Sequence, residues 1–593
     1  MKIFIELFRL YDVKSKLNLF NLILFVSISS FLQFFFLTSI VIVISILADN
    51  NIIFKNQYFF SLYTILNFND QNNFIFFLIF ISFCFVTISS LFNLLNNYLI
   101  SKYSNYFTIK LEEIFFSFYI NSDYYFFNKN SQNRLISKLK DNISILGIRF
   151  FPNIFVFFSA ISTLSAIILI LFFIDYQVTL LIFFILLLFY YFFFYFLKNK
   201  ISFLSDTNNR LFYEKTKFII DVFKNLKVLK FFSRKDFDKI YYANSKLLSR
   251  NSVKLFVLET SPRVFMEFLL YAGSLILIFY FYKLDSQYLN ISKIVFFGLA
   301  SSKALPSFNQ VFTSIVNIKS SFSYIVVFSE EINLILNQKE KYLTIDNHND
   351  LILDKIKLNN VSFSFTENKN FNIEELNIEI NKNSFVAICG KSGSGKTTIV
   401  DLLSGVYQPN KGFLSLGNLK INNSNINNYR KIISYVPQEF YMADGTIREA
   451  ITFGEKKYFD DTTQMNFALK FSGALEFVNN LPNKIDTEIS DRGMNLSIGQ
   501  KQRISIARAL YKKPKILILD ESTNSLDLIT EKNILNNLKS LCNFMTIVLI
   551  SHKVLSLEIC DYLFLIKDGK IFDKGTYDDL HSSSEYFKEL TNN

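Results

Sequence analysis

The sequence predicts two domains of different class: an all-α membrane domain of six helices, then an α/β domain built around a phosphate-binding loop. Three observations carry this. Apolar residues make up 51% of the chain, and their excess lies before about Asn317. Six stretches there reach the ~20 residues a helix needs to cross a bilayer. Beyond residue 355, apolar strand-like runs alternate with helical segments, and one run leads into a glycine-rich loop. The expected boundaries are 1–336 for the membrane domain, 337–354 for a polar linker and 355–593 for the α/β domain.

The six stretches run near Leu17–Leu47, Phe74–Ile100, Phe151–Ile174, Val178–Leu197, Val257–Tyr282 and Ile291–Val316. Only Asp175-Tyr176-Gln177 separates the third from the fourth, which reads as a tight turn between two spans. Charge orients them. The loop after the second stretch carries Lys102, Lys110, Lys129, Arg134, Lys138 and Lys140, and the segment Lys198–Lys254 holds fourteen Lys/Arg against five acids. The opposite loops carry little beyond Lys55 and Lys283. Cationic loops stay on the cytoplasmic side, so the N-terminus, both long loops and the α/β domain are expected there. This topology explains most of the net charge of +12, and with the basic residues beside spans no nucleic-acid partner is expected. The long loops keep helical periodicity (Leu204, Leu211, Phe218, Val222, Leu226, Leu229) and lack proline, so spans two to five are expected to continue as helices into the cytoplasm. Breaks are expected at Asn128–Ser131 and near Lys224–Lys230.

Four scattered cysteines (Cys84, Cys389, Cys542, Cys560) offer neither a disulfide framework nor a zinc site. No short apolar segment with a small-residue cleavage site opens the chain, so no cleaved signal peptide is expected. Seventy-two phenylalanines beside no tryptophan read as the codon bias of an AT-rich genome.

The strand-like run Phe385–Cys389 leads into Gly390-Lys391-Ser392-Gly393-Ser394-Gly395-Lys396-Thr397, followed by Thr398. Glycines let backbone N–H groups face a phosphate, and the following helix N-terminus adds positive potential. Lys396 would reach the β/γ-phosphates, and Thr397 would offer its hydroxyl to Mg²⁺. A plain Gly/Ser turn would lack this strand and the Gly-Lys-Thr ending. Further on, Lys515–Leu519 is an apolar run ending in Asp520-Glu521, and Thr546–Ile550 is another ending in Ser551-His552.

With Gln438 after Ile433–Pro437, Leu496-Ser497-Ile498-Gly499-Gln500, and Ser525-Leu526-Asp527, six motifs stand in order, and the set resembles the ATPase domain of an ABC transporter. With six spans ahead of it, nearly the whole chain resembles an exporter-type half-transporter. The resemblance implies ATP and Mg²⁺ as ligands, with Thr397, Gln438 and Asp520 around the metal. It implies Glu521 as the base that polarises water, Gln438 as the glutamine reporting to the membrane domain, and His552 as the switch histidine at the γ-phosphate. It adds Asp527 to the ATP site and Phe365 as the aromatic stacking on adenine, with Phe363 two residues away. Ser497, Gly499 and Gln500 resemble the signature loop, with Ile498 where a glycine is commoner. Ser497 suits an N-cap. In this family the phosphate loop of one ATPase domain faces the signature loop of another, so a homodimer with two equivalent sites is implied.

Ionisable residues within spans usually face a cavity or a partner. Arg263 and Glu267 are four apart, as for a pair along one helix face or for two groups at a cavity; Lys303 lies mid-span three residues before Pro306, and Arg149 stands at the entrance of the third span. Ser261-Pro262-Arg263 with Glu267, and Ala304-Leu305-Pro306 with Asn309, resemble bacterial lipid-linked oligosaccharide flippases. That implies a polyprenyl-pyrophosphate glycan as cargo at Arg263 and Lys303, membrane lipids as partners, and the bacterial inner membrane as location. Exporters of peptides, lipid A-type lipids or drugs share the scaffold; a peptidase domain ahead of the first span would favour peptides, and none is expected. A soluble ABC ATPase acting on nucleic acid or ribosomes lacks the spans, and a regulatory membrane protein that moves nothing has no use for Glu521 and His552.

Overall fold

The computed structural model describes residues 2–48, 52–68, 70–174, 176–232, 234–284, 291–341, 354–365, 372–442, 444–453, 461–489, 493 and 495–591, with some helical side chains among them excepted. These divide into two units, Met1–Ser122 with Phe126–Leu343, and Asp123–Tyr125 with Thr344–Asn593.

In the first unit the six apolar stretches all fall in long helices: Val13–Ala48, Gln71–Asn121, Phe151–Ile174, Tyr176–Lys224, Arg234–Leu284 and Ile291–Val326. Among the described residues, Val13–Leu32, Gln71–Asn121 and Gln132–Phe173 are each long and apolar enough to cross a membrane. The helices Gln71–Asn121 and Arg234–Leu284 have 51 residues each. At 1.5 Å per residue each spans about 75 Å, more than twice the hydrocarbon thickness. The first long loop breaks at Ser122-Asp123, a short helix Tyr124–Lys129 follows, and Ser131 begins the next at Gln132. The second turns at Asn225, after the helix ends at Lys224.

Two details escape periodicity. Between Gln132 and Ile174 the chain stays helical but widens into π-helical turns at Lys138–Asn142 and Leu146–Phe150. In the second of these, a β-carbon on Gly147 would lie 2.6 Å from Thr108 Oγ1, so any larger residue would force the Thr108 side chain or the helices to shift. In the first, Lys138 forms a buried ion pair with Glu331. Burial pushes the Lys138 ammonium down and the Glu331 carboxylate pulls it back up. Glu331 belongs to the helix Ser329–Lys341, which runs past the expected boundary at residue 336. Acids open that helix and Gln, Lys and Glu continue it, with no glycine or proline to stop it. The rest of the expected linker, 342–353, lies outside the described residues. Phenylalanine fills the core here: Phe107, Phe115, Phe150, Phe151, Phe155 and Phe328 are all buried.

The second unit packs helices on a six-stranded sheet. Its strands are β3 (Phe385–Cys389), β6 (Ile433–Val436), β9 (Ile516–Asp520), β10 (Thr546–Ile550), β11 (Tyr562–Lys567) and β12 (Lys570–Gly575). Their order is β12-β11-β3-β10-β9-β6, and all but β12 run parallel. β3, β9 and β10 are buried along their whole length, as expected of parallel strands covered on both faces. A second, antiparallel sheet holds β1 (Ile356–Ser364), β2 (Asn372–Ile380), β4 (Lys411–Leu416) and β5 (Leu419–Lys420), and β7 (Gly445–Thr446) pairs with β8 (Glu488–Ile489).

Candidate active site

Strand order builds the site. β3, β10, β9 and β6 are neighbours, about 4.8 Å apart, and their C-terminal ends deliver the phosphate loop, His552, Asp520-Glu521 and Gln438 side by side. Ligands of open α/β sheets bind outside these strand ends, where the order crosses over.

The phosphate loop closes tightly on β11. A β-carbon on Gly390 would lie 2.3 Å from the Ile566 carbonyl oxygen, and its φ is 154°. Lys391, Ser392 and Gly393 are exposed, and the Lys391 ammonium lies 3.7 Å from Glu589. Gly395 caps the helix Lys396–Leu403. Lys396 is buried, and its Nζ donates to the carbonyls of Gly390 and Lys391 at 2.9 Å each. Burial lowers its pKa, against the pull of Glu521. Ser394 Oγ is buried with no partner among the described residues. Thr397 is exposed at the first turn and Thr398 half-buried behind it.

Asp520 is 4% exposed and accepts a hydrogen bond from Tyr435 Oη at 2.8 Å. Burial raises its pKa, and Tyr435 and Lys396 work against that rise. Glu521 sits beyond the strand at φ 46°, and its N–H donates to the Ile550 carbonyl at 3.1 Å. Its Oε2 accepts from Gln438 Nε2 at 2.9 Å and from Asn524 Nδ2 at 3.1 Å. His552 Nδ1 stands 4.0 Å from Glu521 Oε1. The structure therefore gathers Gln438, Asp520, Glu521, His552 and Lys396 in one place.

Tyr435 and Asn524 carry no motif signal of their own, and only β6 pairing with β9 brings the Tyr435 phenol to Asp520. Asp401, on the phosphate-loop helix, was equally silent. Burial, and then Asp520, push it up to about 7.

The donor set suits Mg²⁺. That ion takes hard oxygen ligands, one or two carboxylates completed by phosphate and water. Asp520, Thr397 and the Gln438 amide oxygen supply that chemistry, and among the described residues no cluster of three or more His, Cys, Asp or Glu offers a different cage.

Other candidates lie further out. Phe363 is buried and stacked on Tyr407, whereas Phe365 is half-buried, edge-on to both rings at 5.0 and 5.6 Å. Of the two, Phe365 is the accessible ring. Ser497 caps the helix Ile498–Tyr511 in a reciprocal pair: its Oγ accepts from Gln500 N–H at 3.2 Å, and its own N–H donates to Gln500 Oε1 at 2.9 Å. Ile498 is exposed, and a β-carbon on Gly499 would reach the Leu526 side chain at 3.4 Å. The Asp527 carboxylate caps the helix Leu528–Ser540 through Thr530 N–H at 3.0 Å.

In the first unit, Arg263 Nε donates to Glu267 Oε1 at 2.8 Å, so these two residues pair along one helix face. Arg149 lies 3.6 Å from Glu259. Lys303 is on the helix Ile291–Val326, but its side chain lies outside the described residues.

Comparison with known proteins agrees with this geometry. A family pattern described as ABC transporter matches residues 373–524. A Rickettsia typhi protein with the provisional name of an export ATP-binding/permease protein is 37% identical over 267 residues, 45% of each chain. A Lactococcus lactis protein named a multidrug resistance ABC transporter ATP-binding and permease protein is 33% identical over 278 residues, 47% of this chain and 45% of that one. The chain thus spans about half the length of the curated relatives it matches. The structure of a bacterial Atm1-family ABC exporter with ATP bound superimposes with a TM-score of 0.79 over 98% of both chains, at 20% identity, a likeness of fold. The ABC transporter pattern thus falls within the second unit, and the helical first unit shares the fold of that exporter.

Proposed function

We propose that the chain is an ATP-driven exporter that works as a homodimer in the bacterial cytoplasmic membrane, with its N-terminus and ATPase domain in the cytoplasm. The observation that carries this is the convergence of Lys396, Asp520, Glu521, Gln438 and His552 at four neighbouring strand ends. ATP lies along the phosphate loop with its β- and γ-phosphates at Lys396 and its adenine against Phe365. Thr397, Asp520 and Gln438 would hold Mg²⁺, which would supply neutralisation of charge on the phosphate oxygens. Glu521 takes the proton of the attacking water while Gln438 Nε2 and Asn524 hold its carboxylate. His552 meets the γ-phosphate. Ser497, Gly499 and Gln500 lie on a different helix from the phosphate loop, and they close over the nucleotide of a partner copy.

Glu521→Gln in the full chain tests this. It is expected to cut turnover by about 10²–10³-fold, the scale of a lost catalytic group, and to trap an ATP-bound dimer. Undiminished turnover would overturn the assignment.

For cargo, we propose a lipid-linked oligosaccharide or another polyprenyl-linked glycoconjugate, with Lys303 meeting its pyrophosphate. Positive charge in a low-dielectric cavity suits that headgroup. One observation favours a second reading, export of drugs, peptides or lipid A-type lipids: Arg263 is already neutralised by Glu267, which leaves the fifth span no spare cation at that turn. ATPase stimulation by a polyprenyl-pyrophosphate glycan in vesicles, lost in Lys303→Ala, supports the first reading. Stimulation by apolar drugs alone supports the second.

A further inference from the structure

We propose that Lys553 is a positioning residue of the hydrolytic centre. Its ammonium ties the arc Glu521–Leu526 to the turn that carries His552, and so holds Glu521 and His552 opposite each other. The inference rests on the reading of this centre as an ATPase site.

An ammonium has three N–H donors, and Lys553 places all three. Nζ lies 3.2 Å from the Thr523 carbonyl oxygen, 3.3 Å from that of Asn524 and 2.7 Å from Glu531 Oε2. Glu531 stands in the first turn of the helix Leu528–Ser540 and is fully buried. Its Oε1 accepts from Ser556 Oγ at 3.0 Å. One side chain from the end of β10 therefore grips both the middle of the arc and the helix into which the arc runs.

At its start the arc is anchored by Glu521 N–H on the Ile550 carbonyl at 3.1 Å, and at its end by Leu526 in the core. Its internal backbone bonds are Asn524 N–H to the Glu521 carbonyl and Leu526 N–H to the Thr523 carbonyl, each at 3.2 Å. Ser522 Oγ, Thr523 Oγ1 and Asn524 Oδ1 are buried with no partner among the described residues. Asn524 is also the residue whose Nδ2 donates to Glu521 Oε2. A shift of the Asn524 backbone is thus a shift of the carboxylate that takes the proton. On the other side, Lys553 N–H donates to Ser551 Oγ at 3.1 Å, which fixes the turn around His552.

The competing role is plain neutralisation, because a buried carboxylate left without its cation is strongly destabilising. A pair of variants of the full chain separates the two. Lys553→Met removes the ties and strands Glu531. Lys553→Met/Glu531→Leu removes the ties but leaves no stranded charge. Positioning predicts that both lose about ten- to a hundredfold in kcat with KM for ATP within about twofold, since an interaction that orders the reacting groups acts on kcat. The double variant regains thermal stability without regaining kcat, and Lys553→Arg, which keeps charge and donors, recovers part of it. Amide hydrogen exchange of residues 522–527 is faster in both variants. Recovery of kcat along with stability in the double variant would overturn the proposal, as would unaltered kcat or unaltered exchange. If Lys553→Met does not fold, the double variant carries the test. A wild-type chain with no Mg-ATP turnover would instead sink the ATPase reading, and the exchange measurement still reports on the tie.

Discussion

In the ATPase unit, Gln438, Asp520-Glu521 and His552 come from three separate strand ends and meet only once the sheet has formed, and Lys396, held by the carbonyls of its own loop, joins them from a fourth. In the membrane unit, Arg263 meets Glu267, Arg210 meets Glu214 and Lys110 meets Glu113 within one turn of the same helix. The difference separates charges that local structure satisfies from charges that the fold leaves available to a ligand. Lys138–Glu331 and Arg149–Glu259 depart from this in the membrane unit: both join residues far apart in sequence, and the first is buried.

Substitutions graded by size sharpen this contrast. The largest effect belongs to Lys396→Ala, expected to lower ATP turnover at least about 10²-fold, as when a group aimed at developing phosphate charge is lost. Phosphate release from the reconstituted chain measures it, and turnover near that of wild type would remove Lys396 from the site. Next, Lys138→Met should destabilise the membrane unit by about 3–5 kcal/mol by stranding Glu331. Lys138→Met/Glu331→Leu should recover most of that in thermal unfolding in detergent. If the single variant unfolds like wild type, the pair is not what joins those helices.

Smaller is Tyr435→Phe. Tyr435 donates to the ionised form of Asp520 and opposes the rise caused by burial. Without it the Asp520 pKa climbs further, so the acid limb of the pH–rate profile should move to higher pH. The Mg²⁺ concentration for half-maximal rate at pH 7 should grow about threefold, a fraction of one hydrogen bond to a charged group. An unmoved profile would separate Tyr435 from metal binding.

Asp401→Asn is read as stability against pH. The folded-state pKa of Asp401 is raised from 3.8 to about 7. The unfolded chain therefore ionises first as pH rises, and wild type loses stability across the window between those values. The asparagine variant, without nucleotide, should melt about 2–4 °C higher than wild type at pH 8, with the gain vanishing towards pH 4. A gain independent of pH would discard the titration. Smallest is Arg263→Ala, an exposed pair within one helix, expected to change stability by less than about 0.5 kcal/mol. A large loss of transport at unchanged stability would return Arg263 to the cargo site.

Legibility follows the same divide. The phosphate loop, Asp520-Glu521 and Ser497 can be read because their geometry is local: a strand end, a tight loop, a helix cap. The six long helices of the first unit can be read because each carries an unbroken apolar stretch. Tyr435, Asn524 and Lys553 are silent in sequence because strand pairing and loop closure alone give them their partners. The π-helical turns are silent for a related reason. The second of them places Gly147 against Thr108, and a single strand of text does not contain that neighbour. Arg263 shows the opposite limit, because the spacing to Glu267 fits a self-contained pair and a cavity equally well until the geometry is seen.

The 51-residue helices have a mechanical consequence. A rod of about 75 Å tilted by about 5° around one end carries its other end about 7 Å, roughly the width of a phosphate group with its first water layer. Angular changes too small to disturb packing beside the pivot are therefore amplified along these levers into displacements that a solute at the far end can register.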